Sequence, residues 1–452
     1  MTVARRLQLH TGMNGPAIRA YDIAVMEFAA QRPFMAHVQE ALKNDGDMTA
    51  AHALSGIAHA LIGRQHGMAV SRSTVSKTRA VLAKAGGGTS HEQALAHAHE
   101  AAADGRFKRA ASHLEQHLET HPTDLLAIKL AHALRFMTGQ PDSMLRTTAA
   151  VLPSWDKSMR GYGFVLGCRA FALEETGNLT EAEACGRRAV SFQPDDAWGL
   201  HAVAHVLEMS GRTHEGRGWL EAAQGRFDAC GVFGHHLVWH LALFHLSDGD
   251  RDGALSLYDS AIKPTRDGDF RDVANAVSLL WRLEQEGVDV GNRWDGLHEI
   301  AHERRLDCTY AFASLHYLLA LIATGDRVGA RECVEAMRKR SRGTGDDQAP
   351  VFARVGAALG DVLLSSQHRN DLEALARGLP DLGGSRAQQD VFLRSLLLLA
   401  QRHNDVDTLH ALSAIRFQQR AEDRFQRLIM RRASAARRTA IATAKFQMEQ
   451  HP

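Results

Sequence analysis

The stretch Ala172–Val190 reads ALEETGNLTEAEACGRRAV. It joins the end of an apolar helix to a glycine, a polar residue and a second, Ala-rich helix. Similar stretches recur at 101–118, 206–223, 245–262 and 321–337. Because glycine lets the chain turn sharply between two helices, each copy predicts a helical hairpin. The recurrence predicts an array of such hairpins.

The glycines of this motif follow one another at intervals of 34 or 38 residues, at Gly105, Gly139, Gly177, Gly211, Gly249, Gly287 and Gly325. A helix–turn–helix unit of about 34 residues is the tetratricopeptide period. Five residues after the glycine, five copies have a small residue that allows close helix packing: Ala110, Ala182, Gly216, Ala254 and Ala330. Only neighbouring hairpins can cover the remaining apolar face. We predict an all-α fold, a right-handed superhelix of stacked tetratricopeptide-like helical hairpins.

Three regions follow from where the repeat is clear. Residues 1–88 form an N-terminal helical region without an obvious repeat, and AGGGTS at 85–90 is typical of a linker. Residues 91–340 form the tetratricopeptide array. A polar loop follows it at 341–350. Residues 351–452 are predicted to be degenerate helical hairpins and a basic C-terminal capping helix over about 415–448. The arginines of that helix, from Arg416 to Arg432, are interpreted as a solvated face or, alternatively, as a surface for a partner.

Charge and composition exclude several classes of protein. The 452 residues contain 53 Lys and Arg against 52 Asp and Glu, so the net charge is +1 and provides no general attraction for nucleic acid. No apolar run approaches the ~20 residues of a membrane span. The five cysteines are odd in number and form no CxxC pair, which fits a reducing compartment. We expect a cytoplasmic protein that binds neither nucleic acid nor membrane.

Histidine and tryptophan concentrate on the first helix of each hairpin. Counted back from the glycine, they fall near positions −13, −10 and −6, a spacing that places them on one stripe of a helix. First helices line the inner wall of such a superhelix, so these side chains are predicted to converge in its concave groove. The residues are His132, Trp198, His201, His205, His236, Trp239, His240 and His316.

Two of these helices carry histidines four residues apart, in HAVAH (201–205) and HLVWH (236–240). Such a pair can bind one metal ion from a single helix face. His201, His205, His236 and His240 could therefore hold a divalent transition metal, with His132 or His316 outside them. Two other interpretations stay open: a metal-free pocket of neutral His and Trp that binds a small molecule or peptide, and histidines that only pack.

The segment LGGSRAQQDVF (382–392) places polar groups next to an apolar helix. One interpretation is a helix start in which Ser385 and Gln388 form a capping box. The other is a polar loop that folds into the groove, where Gln388 binds a ligand and Asp390 acts as acid, base or ligand.

Several long segments resemble the tetratricopeptide repeat protein 38 family. They are HPTDLLAIKLAH (121–132), QPDDAWGLHAVAHVLEM (193–209), WHLAL (239–243), LYD (257–259), LLWRLEQEGVDVGNRW (279–294) and GGSRAQQDVF (383–392). The resemblance implies a tetratricopeptide superhelix and a cytosolic protein. His236-Leu237-Val238-Trp239-His240-Leu241 departs from the family, whose members read His-Asn-Tyr-Trp-His-Trp at this place. The resemblance implies no defined activity.

Two classes of function remain. The first is a binding protein whose His- and Trp-rich groove holds a small molecule or peptide through His132, Trp198, His236, Trp239, His316 and Gln388. The second is an enzyme that acts on a small substrate, in which His201, His205, His236 and His240 bind a metal or transfer protons, assisted by Asp390. A homodimer is compatible with both.

Overall fold

The computed structural model describes residues 15–365 and 371–432, which contain helices and no strand. The helices, in chain order, are α1 (Gly15–Ala29), α2 (Met35–Asn44), α3 (Thr49–Leu61), α4 (Gln65–Lys84), α5 (Ser90–Ala103), α6 (Phe107–Thr120), α7 (Leu125–Met137), α8 (Pro141–Val151), α9 (Tyr162–Glu175), α10 (Leu179–Phe192), α11 (Ala197–Met209), α12 (Thr213–Phe227), α13 (Val232–Asp248), α14 (Arg251–Leu257), α15 (Phe270–Gln285), α16 (Trp294–Arg304), α17 (Ala311–Ala323), α18 (Arg327–Arg340), α19 (Gln348–Val351), α20 (Ala357–Ser365), α21 (Leu372–Gly378), α22 (Arg386–Arg402) and α23 (Val406–Phe417). A further helical segment covers 424–432.

Consecutive helices pair as hairpins, for example α5 with α6, α9 with α10, α11 with α12 and α17 with α18. First helices also pack on one another, α9 on α11 and α13 on α15. The predicted all-α repeat superhelix is therefore confirmed. Every glycine that set the period has a positive φ and stands between two helices. Gly216 allows the predicted close approach, since a side chain there would collide with the ring of Phe244.

The N-terminal region continues the stack. Helices α3 and α4 pack on each other and both contact α5, so the AGGGTS segment is a turn within the packed array. Helix α1 reaches further and contacts α7. Within the residues that the structure describes, no helix is long and apolar enough to cross a membrane.

Two loops connect parts of the array that are distant in sequence. The N–H of Asp347, in the polar loop predicted after the array, donates to the carbonyl of Gly105 at 3.1 Å. The hydroxyl of Tyr310 donates to the carbonyl of Met137 at 2.8 Å. A side chain on Gly383 would collide with both of the groups that make this bond. These contacts hold the later repeats against the first ones.

Helix α22 covers the inner side of the array. Arg282 of α15 donates to the carbonyl of Ala387 at 2.7 Å, and Trp281 donates to the hydroxyl of Ser395 at 2.9 Å. At its start, the N–H of Arg386 donates to Glu175 of α9 at 3.2 Å. The chain therefore places one of its own helices where an open superhelix would expose its concave surface.

The basic C-terminal helix differs from its prediction. Helix α23 ends at Phe417. Instead of being solvated, Arg416 is buried and the Arg420 side chain is only 9% exposed, because both pair with carboxylates. Further along, Arg427 is about half exposed. The rest of the predicted capping helix, from 433 to about 448, lies outside the described residues, as do 1–14, 366–370 and 449–452.

Candidate metal centre

The inner faces of α11 and α13 bring four histidines together. His201 and His205 lie one turn apart on α11, and His236 and His240 lie one turn apart on α13. One ring nitrogen from each lies within 4.8 Å of the others. The convergence that the spacing predicted is therefore present in the structure, and it draws on two neighbouring hairpins.

The cluster is enclosed, in contrast to the predicted groove. His205 and His240 are fully buried, and even His236 exposes only 8% of its surface. A peptide on the outer surface of the protein cannot contact these rings, because the packed helices separate them from solvent. The sequence spacing identified the face on which they lie but not the elements that cover it.

Two rings are oriented by a hydrogen bond to a polar group behind them, and a third has a carboxyl group nearby. His236 Nδ1 donates to Asn275 Oδ1 at 3.0 Å, and His240 Nδ1 donates to Glu208 Oε2 at 2.9 Å. His205 Nδ1 lies 3.3 Å from Glu174 Oε2. Since Nδ1 faces outward in each of these rings, Nε2 is the nitrogen left for the centre of the cluster.

The Nε2 atoms themselves have few protein partners. Those of His201 and His236 lie 3.1 Å apart. Those of His205 and His240 are buried without a hydrogen-bond partner among the described residues. Two imidazole nitrogens at such a distance either share a proton or bind a common cation. Buried polar atoms without partners are rare in native proteins and call for an explanation of this kind.

Burial also sets the protonation state of the cluster. It lowers the pKa of His201, His236 and His240 well below the ordinary value, and the neighbouring rings lower it further. The rings are therefore neutral at pH 7 and keep a lone pair for a ligand. Burial has the opposite effect on the adjacent carboxyls and raises the pKa of Glu174 and of Glu175 to about 8.

Aromatic side chains form the wall of the cluster. The indole of Trp239 stacks on His236 with 5.2 Å between ring centroids and donates to Ser278 at 3.0 Å. Phe171 stacks on His201 at 5.1 Å. These contacts fix the planes of the rings, so Trp239 has a supporting position behind a candidate ligand.

Two of the predicted ligand-binding residues lie outside the cluster. Trp198 packs against His201 and donates to His132 Nε2 at 3.2 Å, which places His132 one layer further out. Burial, with the nearby charge of Lys129, lowers the pKa of His132 to about 3. Both residues are core groups next to the cluster.

His316 is also separate from the cluster. Its Nδ1 donates to the carbonyl of Phe312 at 2.8 Å, and its ring packs against Phe312 and against Phe392 of α22. Burial lowers the pKa of His316 to about 3. It therefore contributes to packing between α17 and α22.

This burial gives a pH-dependent prediction. The unfolded chain binds a proton at His316 below about pH 6.5, whereas the folded chain does not until about pH 3. Stability linked to His316 is therefore present above pH 6.5 and lost as the pH falls. In His316→Phe, urea unfolding between pH 6 and pH 4 should lose about 1.4 kcal/mol less per pH unit than in the wild type. If the free energy of unfolding of His316→Phe and of the wild type changed equally with pH, the low pKa of folded His316 would be contradicted.

The capping interpretation of the 382–392 segment is confirmed. Ser385 and Gln388 form a capping box at the start of α22, so Gln388 has a helix-terminal role. Asp390 does face the interior, but it pairs with Arg416 at 2.7 Å and with Arg420 at 3.3 Å. Although burial opposes ionisation, Arg416 and Arg420 hold its pKa well below the usual range. An ion pair of this kind does not suit proton transfer near pH 7.

Sequence reasoning missed the carboxylates and the amide that orient the rings. Glu208 lies three residues after His205 on the same helix, so the stripe that identified the histidines could also have identified it. Glu174 and Glu175 end the inner helix of the preceding repeat, in the segment ALEETG. Asn275 gave no comparable signal, because it belongs to α15 and no histidine pair marks that helix.

The comparison with known families bears on the architecture. A family model described as a tetratricopeptide repeat matches residues 93–127, which cover most of α5, all of α6 and the start of α7. Residues 93–127 are thus similar to a tetratricopeptide repeat, in agreement with the helical-repeat fold. Such repeats typically serve protein interaction. The narrower assignment to the tetratricopeptide repeat protein 38 family stays a prediction.

Proposed function

We propose that this repeat protein binds one divalent transition metal ion through Nε2 of His201, His205, His236 and His240. The observation that supports it best is the approach of four buried, neutral imidazoles to within 4.8 Å of one another. Without a common ligand, the Nε2 atoms of His205 and His240 are buried without hydrogen bonds to the described residues. Such burial raises the free energy of the folded protein.

The donor set indicates which metals fit. Imidazole nitrogen suits zinc, copper, nickel and iron, whereas magnesium and calcium prefer oxygen ligands. Nitrogen ligands about 2.1 Å from a tetrahedral ion lie roughly 3.4 Å from each other. The 3.1 Å between the Nε2 atoms of His201 and His236 is close to that value. Zinc, with cobalt as its spectroscopic substitute, is the first ion to test.

The surroundings can also balance the charge of the ion. Glu208 contacts His240 at 2.9 Å, and Glu174 and Glu175 lie 3.3 Å and 3.8 Å from His205. A nearby cation favours the ionised form of a carboxyl group. Hydrogen bonds from ligating imidazoles to carboxylates are the usual outer contacts of protein metal sites.

The same electrostatics disfavours acid–base catalysis by the histidines without a metal. An effective general base has a pKa near the operating pH. Burial lowers the pKa of His201 and His240 well below that range, so these rings are weak proton acceptors. A metal ligand needs the neutral ring, and this is the state that the interior stabilises.

The proposal can be tested by refolding chelator-treated protein with increasing amounts of cobalt(II), so that the ion can reach the buried rings. We expect one equivalent to bind and to give the intense visible bands of a tetrahedral site. The variant His201→Ala/His240→Ala should lose these bands while its far-ultraviolet circular dichroism stays helical. The matched control is His298→Ala/His302→Ala, which removes a partly exposed HxxxH pair next to Asp326. Equal binding by the two double variants, or none by the wild type, would refute the proposal.

A further inference from the structure

A second group of polar residues lies around the turn between α6 and α7. It contains Ser90, His91, His117 and Asp124, of which Ser90 alone is exposed. These residues contact one another in a chain of hydrogen bonds that leads from the surface to a buried carboxylate. None of them takes part in the four-histidine cluster.

The distances within this chain are short. Ser90 Oγ lies 2.9 Å from His117 Nδ1, and His117 Nε2 lies 2.9 Å from Asp124 Oδ2. The same carboxylate oxygen accepts from His91 Nδ1 at 2.5 Å. Its other oxygen accepts the N–H of Ala127 at 3.1 Å, so Asp124 also caps helix α7. The carboxylate is therefore fixed from three directions.

These contacts determine the tautomer of His117. Although burial opposes ionisation, His91 and His117 hold the pKa of Asp124 well below its usual range, so this carboxylate only accepts hydrogen bonds. His117 must then donate its Nε2 proton to Asp124. In the neutral ring, Nδ1 then keeps a lone pair that accepts the hydroxyl proton of Ser90. This is the relation between nucleophile, base and orienting acid in serine hydrolases.

We propose that Ser90, His117 and Asp124 form a nucleophilic serine site that reacts with small carboxylic esters from solvent. Ser90 Oγ forms a bond to the acyl carbon while its proton moves to His117 Nδ1. The bond from that carbon to the leaving oxygen breaks, and His117 returns the proton to the departing alcohol. Water then attacks the acyl group with His117 as base, which releases the acid and restores the hydroxyl of Ser90.

The surroundings of Ser90 allow an ester to approach its hydroxyl from solvent. Ser90 is the first residue of α5, where the helix dipole favours negative charge and where Thr89 and Glu92 form a capping box. Three consecutive glycines, Gly86 to Gly88, precede it and add no side chains that would block an ester. His117 is buried directly beneath the serine.

The test uses a fluorophosphonate, which modifies activated serines covalently, on full-length chelator-treated protein. Peptide mapping should find the label on Ser90, and Ser90→Ala should abolish it. Ser73→Ala is the matched control, because Ser73 is also an exposed helical serine but donates to the carbonyl of Val70. We expect Ser90 to react at least about 100-fold faster than Ser73, the range that a general base provides.

A second variant tests the role of the base. His117→Gln keeps groups that can bond to Ser90 and Asp124 but cannot take up a proton. Labelling of Ser90 should then fall about 100-fold, with helical content unchanged. The proposal is overturned if Ser90 and Ser73 react at equal rates, or if a folded His117→Gln protein is labelled as fast as the wild type. If His117→Gln does not fold, the comparison of Ser90 with Ser73 decides alone.

Discussion

Replacing Arg416 with methionine should destabilise the protein by about 3–5 kcal/mol, the usual cost of breaking a buried ion pair from one side. Arg416 is almost completely buried and bonds to Asp390 at 2.7 Å and to Asp423 at 2.6 Å. Methionine fills a similar volume but leaves Arg420, at 3.3 Å and 3.5 Å, as the ion-pair partner of the two carboxylates among the described residues. Urea unfolding at pH 7 measures the loss.

The pH dependence of this loss separates charge from packing. Arg416 is a main cause of the low pKa of Asp390 and Asp423 in the folded protein. A carboxyl with a depressed pKa contributes stability above its unfolded pKa of about 4, and that stability disappears as the pH falls. The gap between wild type and Arg416→Met should therefore narrow below pH 4. A constant gap would indicate that lost packing causes the effect.

Arg427 provides the control for this experiment. It is about half exposed and lies 3.8 Å from Glu422, so Arg427→Met should cost less than about 1 kcal/mol. The double variant Arg416→Met/Asp390→Asn should recover part of the loss, because it removes one of the two stranded charges. If Arg416→Met and Arg427→Met lowered the free energy of unfolding equally, the stabilising role of the Arg416 ion pairs would be contradicted.

The contrast between these arginines shows what local sequence can and cannot predict. In the sequence, Arg416, Arg420 and Arg427 belong to one basic stretch, and nothing nearby distinguishes them. The first two both pair with Asp390, which lies 26 residues before Arg416. Charge patterning describes a helix by itself, whereas desolvation depends on which distant element packs against it.

The histidines illustrate the opposite case. Their distance from each repeat glycine was enough to place His201, His205, His236 and His240 on one inner face, because a repeat turns a sequence offset into a spatial position. The enclosure of that face was not predictable in the same way. The groups that surround it belong to several helices, among them Phe171 of α9 and Asn275 of α15. The inner face thus follows from periodicity, whereas its enclosure depends on residues that the repeat offsets do not mark.

Zinc should stabilise the folded protein by about 4 kcal/mol when free zinc exceeds the dissociation constant a thousandfold. The reason is that the four imidazoles come together only in the folded chain, so binding free energy adds to folding free energy. Urea unfolding of chelator-treated protein, with and without zinc at pH 7.5, measures the difference. Because His205 and His240 are fully buried, each sample should be refolded in its final buffer so that the ion can reach them.

Two variants make this measurement specific. His201→Ala/His240→Ala should show no increase in stability with zinc, since only His205 and His236 of the cluster remain. Glu208→Gln keeps all four ligands but weakens the acceptor behind His240, which should reduce the affinity 10- to 100-fold. That reduction corresponds to about 1.4–2.7 kcal/mol less stabilisation at the same free zinc concentration. If zinc stabilises His201→Ala/His240→Ala as much as the wild type, the ion binds elsewhere, and the partly exposed pair His298 and His302 is the first alternative site to examine.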